Sequence, residues 1–154
     1  MTDQTAARTA TVPAVVSIFN PITRPLLAAG LPMGFNGLII IRGRKTGEPR
    51  TTPVAIIDVH GRRWIWSPWG DVHWVKNLRA AGQATIKVRG RDEEVTATEL
   101  DSTERVAFFR DVLGPVARRI PFGYSFIRLF DQTDLRDPVG AAEGRAVFEL
   151  HARR

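Results

Sequence analysis

Residues 38–53 constrain the fold of this chain more than any other stretch: Leu-Ile-Ile-Ile-Arg-Gly-Arg-Lys-Thr-Gly-Glu-Pro-Arg-Thr-Thr-Pro. The apolar, largely β-branched start, Leu38 to Ile41, suits a short buried strand. Gly43 and Gly47 then reverse the chain and bring Arg44, Lys45 and Arg50 into one tight turn. A second apolar run follows, with Val54, Ala55, Ile56, Ile57 and Val59. Such a turn offers an anion a planar guanidinium, a point charge, the Thr46 hydroxyl and closely approachable backbone N–H groups. A solvated hairpin has the same composition, because charges and glycines belong in turns. The turn is not a P-loop: no glycine directly precedes Lys45, and a strand rather than a helix follows Thr46.

Gly43-Arg44-Lys45-Thr46-Gly47, followed by Arg50 and Pro53, resembles the Gly-Arg-Lys-Thr/Ser-Gly-x-x-Arg-x-x-Pro signature of the deazaflavin-dependent nitroreductase family. A second block, Ser67-Pro-Trp-Gly-Asp followed by Trp74-Val-Lys-Asn77-Leu78, resembles that family's Ser…Gly…Trp-x-x-Asn-Leu segment. The two blocks occur in the expected order, and the match runs from about residue 38 to residue 88. The resemblance implies an α+β, mainly β, FMN-binding-type split β-barrel that uses coenzyme F420, and some relatives reduce quinones. It implies that the turn cations and nearby backbone hold the phosphate and acidic tail of the coenzyme. The implied cofactor-binding set is Arg44, Lys45, Thr46, Arg50, Thr52, Pro53, Ser67, Trp69, Gly70, Trp74 and Asn77. Ser67 is implied beside the deazaflavin ring as a catalytic group. Tyr124 is the only tyrosine, and the family's substrate-side tyrosines are not clearly reproduced around it.

At 154 residues the chain is expected to be one domain, spanning 1–154, with residues 1–34 forming a helical or extended segment packed on the barrel. The absence of cysteine excludes disulfides, thiolate catalysis and Cys-type metal sites, and fits a cytoplasmic protein. The formal charge of +6 is carried mainly by arginine, since Lys45, Lys76 and Lys87 are the only lysines. A basic surface attracts anions, whether a polyanionic coenzyme, nucleic acid or an acidic lipid face.

The apolar stretch 12–31 is broken by Pro13, Asn20, Pro21, Arg24 and Pro25, so it cannot form the ~20-residue span a membrane requires. Two short helices over one barrel mouth account for it. A peripheral membrane contact through Val15, Val16, Ile18, Phe19, Leu26 and Leu27 is the alternative.

Residues 52–59 are expected as one strand, turning at Gly61 into 63–67, with Trp64 and Trp66 on one face and Ile65 and Ser67 on the other. Asp71 is expected to cap a helix over 72–81 that Gly82 closes. On it Trp74, Leu78 and Ala81 form the inner stripe, with Asn77 beside it and Lys76 and Arg79 turned away. Residues 83–89 alternate cleanly, placing Ala84, Ile86 and Val88 inward. They pair with 93–100, where Val95 and Ala97 point inward. Asp101 and Glu104 have capping-box spacing and open a helix expected to stop at Gly114-Pro115. Aromatic residues 122–130 suit a cover over the barrel or an apolar ligand. A loop over 131–144 and a last strand over 146–150 complete about six antiparallel strands with flanking helices.

His60, His73 and His151 show no metal-ligand spacing. His73 falls in the second block, either as a first-turn surface residue or facing the ring. The leading functional expectation is hydride transfer from reduced F420 to a small electron-poor conjugated acceptor: a quinone, an activated alkene or a nitroaromatic. In that reading Ser67 polarises the acceptor, Tyr124 or water supplies a proton, and Trp69 and Trp74 exclude solvent. An FMN-binding oxidoreductase on the same barrel is the second expectation. A non-catalytic nucleic-acid-binding module is the third, disfavoured because no aromatic stacking motif accompanies the basic residues. The chain is expected as a monomer or homodimer, cytoplasmic, with a membrane-associated form as the alternative to a freely soluble one.

Overall fold

The computed structural model describes residues 37–119 and 133–153. The expectations for the N-terminal segment, for the aromatic stretch 122–130 and for Tyr124 lie outside the described residues. Seven strands form one wholly antiparallel sheet: β1 (Gly37–Arg42), β2 (Pro49–Val54), β3 (Ile56–Val59), β4 (Arg62–Trp66), β5 (Gln83–Val88), β6 (Arg91–Glu99) and β7 (Val147–Ala152). Their order is β2-β1-β5-β6-β7-β4-β3.

That order dictates a barrel. Strands β2 and β3 lie at opposite edges, yet only Ala55 separates them in sequence. In a flat sheet with strands about 4.8 Å apart the edges would lie roughly 29 Å from each other. One intervening residue spans no more than about 7 Å. The sheet therefore curls until its edges meet, and the covalent chain rather than a hydrogen-bond ladder closes it.

The expected single strand over 52–59 is thus two. Its first half pairs with β1 and its second with β4, which makes seven strands rather than about six. Gly37 permits the corner: a Cβ there would lie 2.7 Å from Ile56 Cδ1 and 3.1 Å from the Lys87 carbonyl oxygen.

Both two-residue hairpins, His60-Gly61 and Arg89-Gly90, have positive φ at each residue. This is the turn geometry that follows the natural right-handed twist of paired strands. The second begins β6 at Arg91, earlier than the alternation suggests.

Inside the barrel pack Ile39, Ile41, Val54, Ile56, Ile65, Ala84, Ile86, Val95, Phe148 and Leu150. Helix α1 (His73–Ala81) inserts Val75 and Leu78 into the same core. Burying each is worth about 1.5–3 kcal/mol, which holds α1 across the barrel mouth. Trp74 and Ala81 pack at its edge, while Lys76 and Arg79 are exposed as expected. Val75 joins the inner stripe, a position the sequence reading left out. The helix starts one residue later than expected, because Val72 occupies the cap without a side-chain bond. The Asp71 carboxylate pairs instead with Arg79 Nη1 at 2.8 Å. Gly82 ends the helix in the left-handed conformation, donating its N–H to the Leu78 carbonyl.

The outer face of β4 carries Trp64 and Trp66, as the alternation predicts, and a second core covers them. It is built by α2 (Ser102–Ala107), a π-helical turn (Phe108–Leu113), α3 (Gly114–Arg118) and α4 (Pro138–Ala142). The Asp101–Glu104 capping box forms with both reciprocal bonds. The helix does not stop at Gly114-Pro115. The Gly114 N–H reaches back five residues to Phe109, so the ladder has already left the α register where the proline ring would clash. Within the expected loop 131–144, Asp137 caps the short helix α4, its carboxylate accepting from the Gly140 N–H.

Candidate active site

The turn between β1 and β2 and the first two turns of α1 face each other across a cavity of about 570 Å³ at the barrel mouth. This volume is in the range of small-molecule and cofactor sites. Ile41 lines it from the inner face of β1, and Arg50 lies directly opposite Ile41 in the β1–β2 ladder. Gly43, Arg44, Lys45 and Thr46 contribute from the turn, Pro49, Arg50, Thr51 and Thr52 from β2, and His73, Trp74 and Asn77 from α1.

The turn is tightly built. The Gly43 N–H donates to the Glu48 carbonyl and the Gly47 N–H to the Gly43 carbonyl, both at 2.8 Å. Gly47 has φ +74°, which favours glycine. A Cβ on Gly43 would crowd Thr46 Oγ1 at 3.1 Å and the Glu48 carbonyl oxygen at 3.2 Å. The Thr46 hydroxyl oxygen accepts from the Glu48 N–H, leaving its O–H able to donate. Arg42 Nη1 donates to the Gly47 carbonyl on the outside. Asn77 fastens the turn to α1: its Oδ1 accepts from the Arg44 N–H at 3.2 Å and from Arg44 Nη1 at 2.8 Å.

The electrostatics of the lining are one-sided. Among the described residues, three cations line the cavity and no carboxylate does. Among the described residues Lys45 and Arg50 make no ion pair, whereas Arg62, Arg63, Arg79, Lys87 and Arg110 are all matched to acids. Cations left beside an open cavity without counter-charges are chemically suited to receive an anion.

Seven of the residues expected to bind cofactor therefore meet at the cavity: Arg44, Lys45, Thr46, Arg50, Thr52, Trp74 and Asn77. Pro53, Ser67, Trp69 and Gly70 are not part of its lining. Ser67 is fully buried, and its hydroxyl donates to the Gly70 carbonyl at 2.8 Å. That carbonyl also accepts from the Val72 N–H, and Gly70 has φ +75°. Trp69 is buried, and its indole N–H has no partner among the described residues. Arg145 Nε donates to the Pro68 carbonyl and helps anchor this loop.

Ile41, Gly43, Pro49 and Thr51 join the cavity without having been singled out as binding residues. His73 is exposed and on the rim, so its two readings merge: it is a first-turn surface residue that also borders the site. Its i, i+4 relation to Asn77 carried that signal in the sequence. Thr51 had no such signal, because strand alternation puts it opposite Arg50 and Thr52.

Among the described residues no cluster of three or more His, Asp or Glu side chains could hold a metal ion. Nor is any described helix long and apolar enough to cross a membrane.

Solved structures share the fold at low identity. A protein solved as a domain-swapped dimer superposes with a TM-score of 0.53 at 17% identity, covering 85% of this chain and 95% of its own. An F420-H2 dependent reductase, FDR-A, gives a TM-score of 0.50 at 21% identity, with coverages of 75% and 92%. Atu2129 from Agrobacterium tumefaciens, of unknown function, gives 0.52 at 14%, with coverages of 96% and 57%. No curated protein matches the chain by sequence. The model of one protein family, described as F420H(2)-dependent quinone reductase, matches residues 27–118. That span takes in the strand–turn–strand signature, the second block and the whole cavity lining, and by this match the chain belongs to the F420H(2)-dependent quinone reductase family.

Proposed function

We propose that this protein is a reductase that binds reduced coenzyme F420 at the cationic cavity and reduces an electron-poor conjugated acceptor, a quinone in the first instance. The observation that carries the reading is the lining itself: Arg44, Lys45 and Arg50 around an open cavity with no carboxylate among the described residues of its wall. The residues fit the group chemically, since a phosphate and an acidic tail need cations and N–H donors without acidic neighbours. When bound, the deazaflavin supplies a two-electron hydride source.

The chain's own residues bind, orient and exclude water. Arg44, pre-set by Asn77, and Arg50, on the ladder opposite Ile41, would hold the anionic end. Lys45 adds an exposed charge at the lining. The Thr46, Thr51 and Thr52 hydroxyls are additional donors at the lining. Trp74, packed on Phe148 with ring centroids 6.2 Å apart, forms a fixed apolar wall. Ser67 holds the 67–70 turn that leads into α1, because its hydroxyl proton is committed to the Gly70 carbonyl. The Trp69 indole N–H, in the same loop, is a buried donor with no partner among the described residues. Tyr124, which lies outside the described residues, or water supplies the proton to the reduced acceptor in this reading. Homodimer formation, the state of one structural neighbour, is read by light scattering.

Fluorescence titration with coenzyme F420, beside a parallel titration with FMN, tests the proposal. Micromolar F420 binding with weak or no FMN binding is expected, followed by turnover on a panel of quinones, activated alkenes and nitroaromatics. FMN binding without F420 binding would overturn the cofactor assignment. Binding of neither would reduce the turn to a solvated hairpin.

A further inference from the structure

Asn77 is 6% exposed, and it reaches from α1 to a turn 33 positions earlier in the chain. Both donors it meets belong to one residue, the backbone N–H and Nη1 of Arg44. Two N–H groups converging on one atom fix that end of the carboxamide as oxygen. The amide nitrogen is thereby turned the other way. It has no partner among the described residues, and Asn77 lines the cavity. That nitrogen is not fully buried, so its donors are open to solvent and available to a ligand in the cavity.

Arg44 is itself exposed. A long cation in such a place samples many rotamers, and ligand binding must then restrict them. Here one bond already directs the guanidinium, and a second fixes the backbone from which it springs.

We propose that Asn77 is a positioning residue for Arg44: its carboxamide oxygen holds the guanidinium and the turn in the binding geometry, while its amide N–H groups face the same anionic group. This rests on the anion-site reading above and adds to it a division of labour within a single side chain. Asn77 acts in part through the Arg44 guanidinium, so its contribution shrinks when that side chain is absent, while its bond to the backbone N–H of residue 44 and its own amide donors remain.

A four-protein cycle tests this: wild type, Arg44→Ala, Asn77→Ala and the double variant, each titrated with coenzyme F420. Asn77→Ala is expected to weaken binding about tenfold in the wild-type background and only about threefold in the Arg44→Ala background, where the direct amide contact and the backbone bond remain. Equal losses in both backgrounds would overturn the proposal. A second readout needs no ligand: amide hydrogen exchange at Arg44 should accelerate in Asn77→Ala, while Gly43 and Gly47, bonded within the turn, stay protected. Asn77→Asp keeps the acceptor oxygens and should retain Arg44 protection while losing F420 affinity, since a carboxylate then faces the anion. Rapid Arg44 exchange in Asn77→Asp, or unchanged exchange in Asn77→Ala, would also overturn it. If the wild-type chain bound no F420, the proposed function would fall, while the exchange data would still decide whether Asn77 fixes the turn.

Discussion

Replacing Arg50 by alanine separates binding from folding more cleanly than any other change in the cavity. Arg50 is exposed, lies opposite Ile41 on β2, and has no ion-pair partner among the described residues. Its removal breaks no internal salt bridge and opens no core space. The expected stability change is therefore within about 0.5 kcal/mol, or roughly 1–2 °C in Tm for a chain of this size. Affinity for an anionic ligand should respond differently. A hydrogen bond to a charged group contributes about 1.5–3 kcal/mol, and the open setting of Arg50 places it near the lower figure. About 1.5 kcal/mol corresponds to a Kd roughly twelvefold weaker. The assay is F420 fluorescence titration at low and at moderate salt, with a thermal melt of the same samples. The variant should lose affinity, and its Kd should depend less on salt than that of the wild type. A change below twofold at low salt, or a Tm falling by more than about 5 °C, would refute the argument, because Arg50 would then be either outside the anion site or part of the scaffold.

Two other perturbations probe the frame around the cavity. Gly37→Ala would drive a Cβ to 2.7 Å from Ile56 Cδ1 at the barrel corner, and overpacking of this kind costs about 1–3 kcal/mol; chemical denaturation should show the loss, and an unchanged midpoint would mean that the corner can relax. On the inner sheet face away from the cavity, Arg63 hydrogen-bonds Glu93 and holds its carboxyl below the usual glutamate value, against the opposing effect of burial. A depressed carboxyl contributes stability that is present above its unfolded pKa and lost as pH falls through the folded value. The wild type should thus exceed Glu93→Gln by up to about 1 kcal/mol at neutral pH, a modest figure because Glu93 is 40% exposed, and the gap should close in acid below the ordinary value of 4.5. A gap that stays constant with pH in denaturation experiments would show that the pair is not its source.

The sequence by itself determined several elements that rest on local chemistry. The β-branched run at 38–41, the clean alternation at 83–88, the glycines ending turns and α1, and the Asp101–Glu104 box each announce a local structure, and each forms. The family signature likewise named most of the cavity's polar residues, because cations and hydroxyls in a glycine turn carry their chemistry with them. Tertiary structure decided what depends on long-range pairing. Nothing in 52–59 says that the strand breaks at Ala55, since the break exists only because its two halves find partners at opposite edges of a closing sheet. The passage of the helix through Gly114-Pro115 depends on a π turn that Phe108, Phe109 and Leu113 hold in place by packing under Trp64 and Trp66. Asp71 was an apt cap by composition, but Arg79, two turns away, took its carboxylate. Ser67 could be placed on the inner face by alternation, yet its hydroxyl is claimed by a carbonyl three residues on, in a turn that positive φ at Gly70 makes possible. The meeting of Arg44 with Asn77 across 33 positions belongs to the same class. Local propensity is written in neighbours along the chain, whereas the division of a polar group between scaffold and ligand is written only in the neighbours that folding brings.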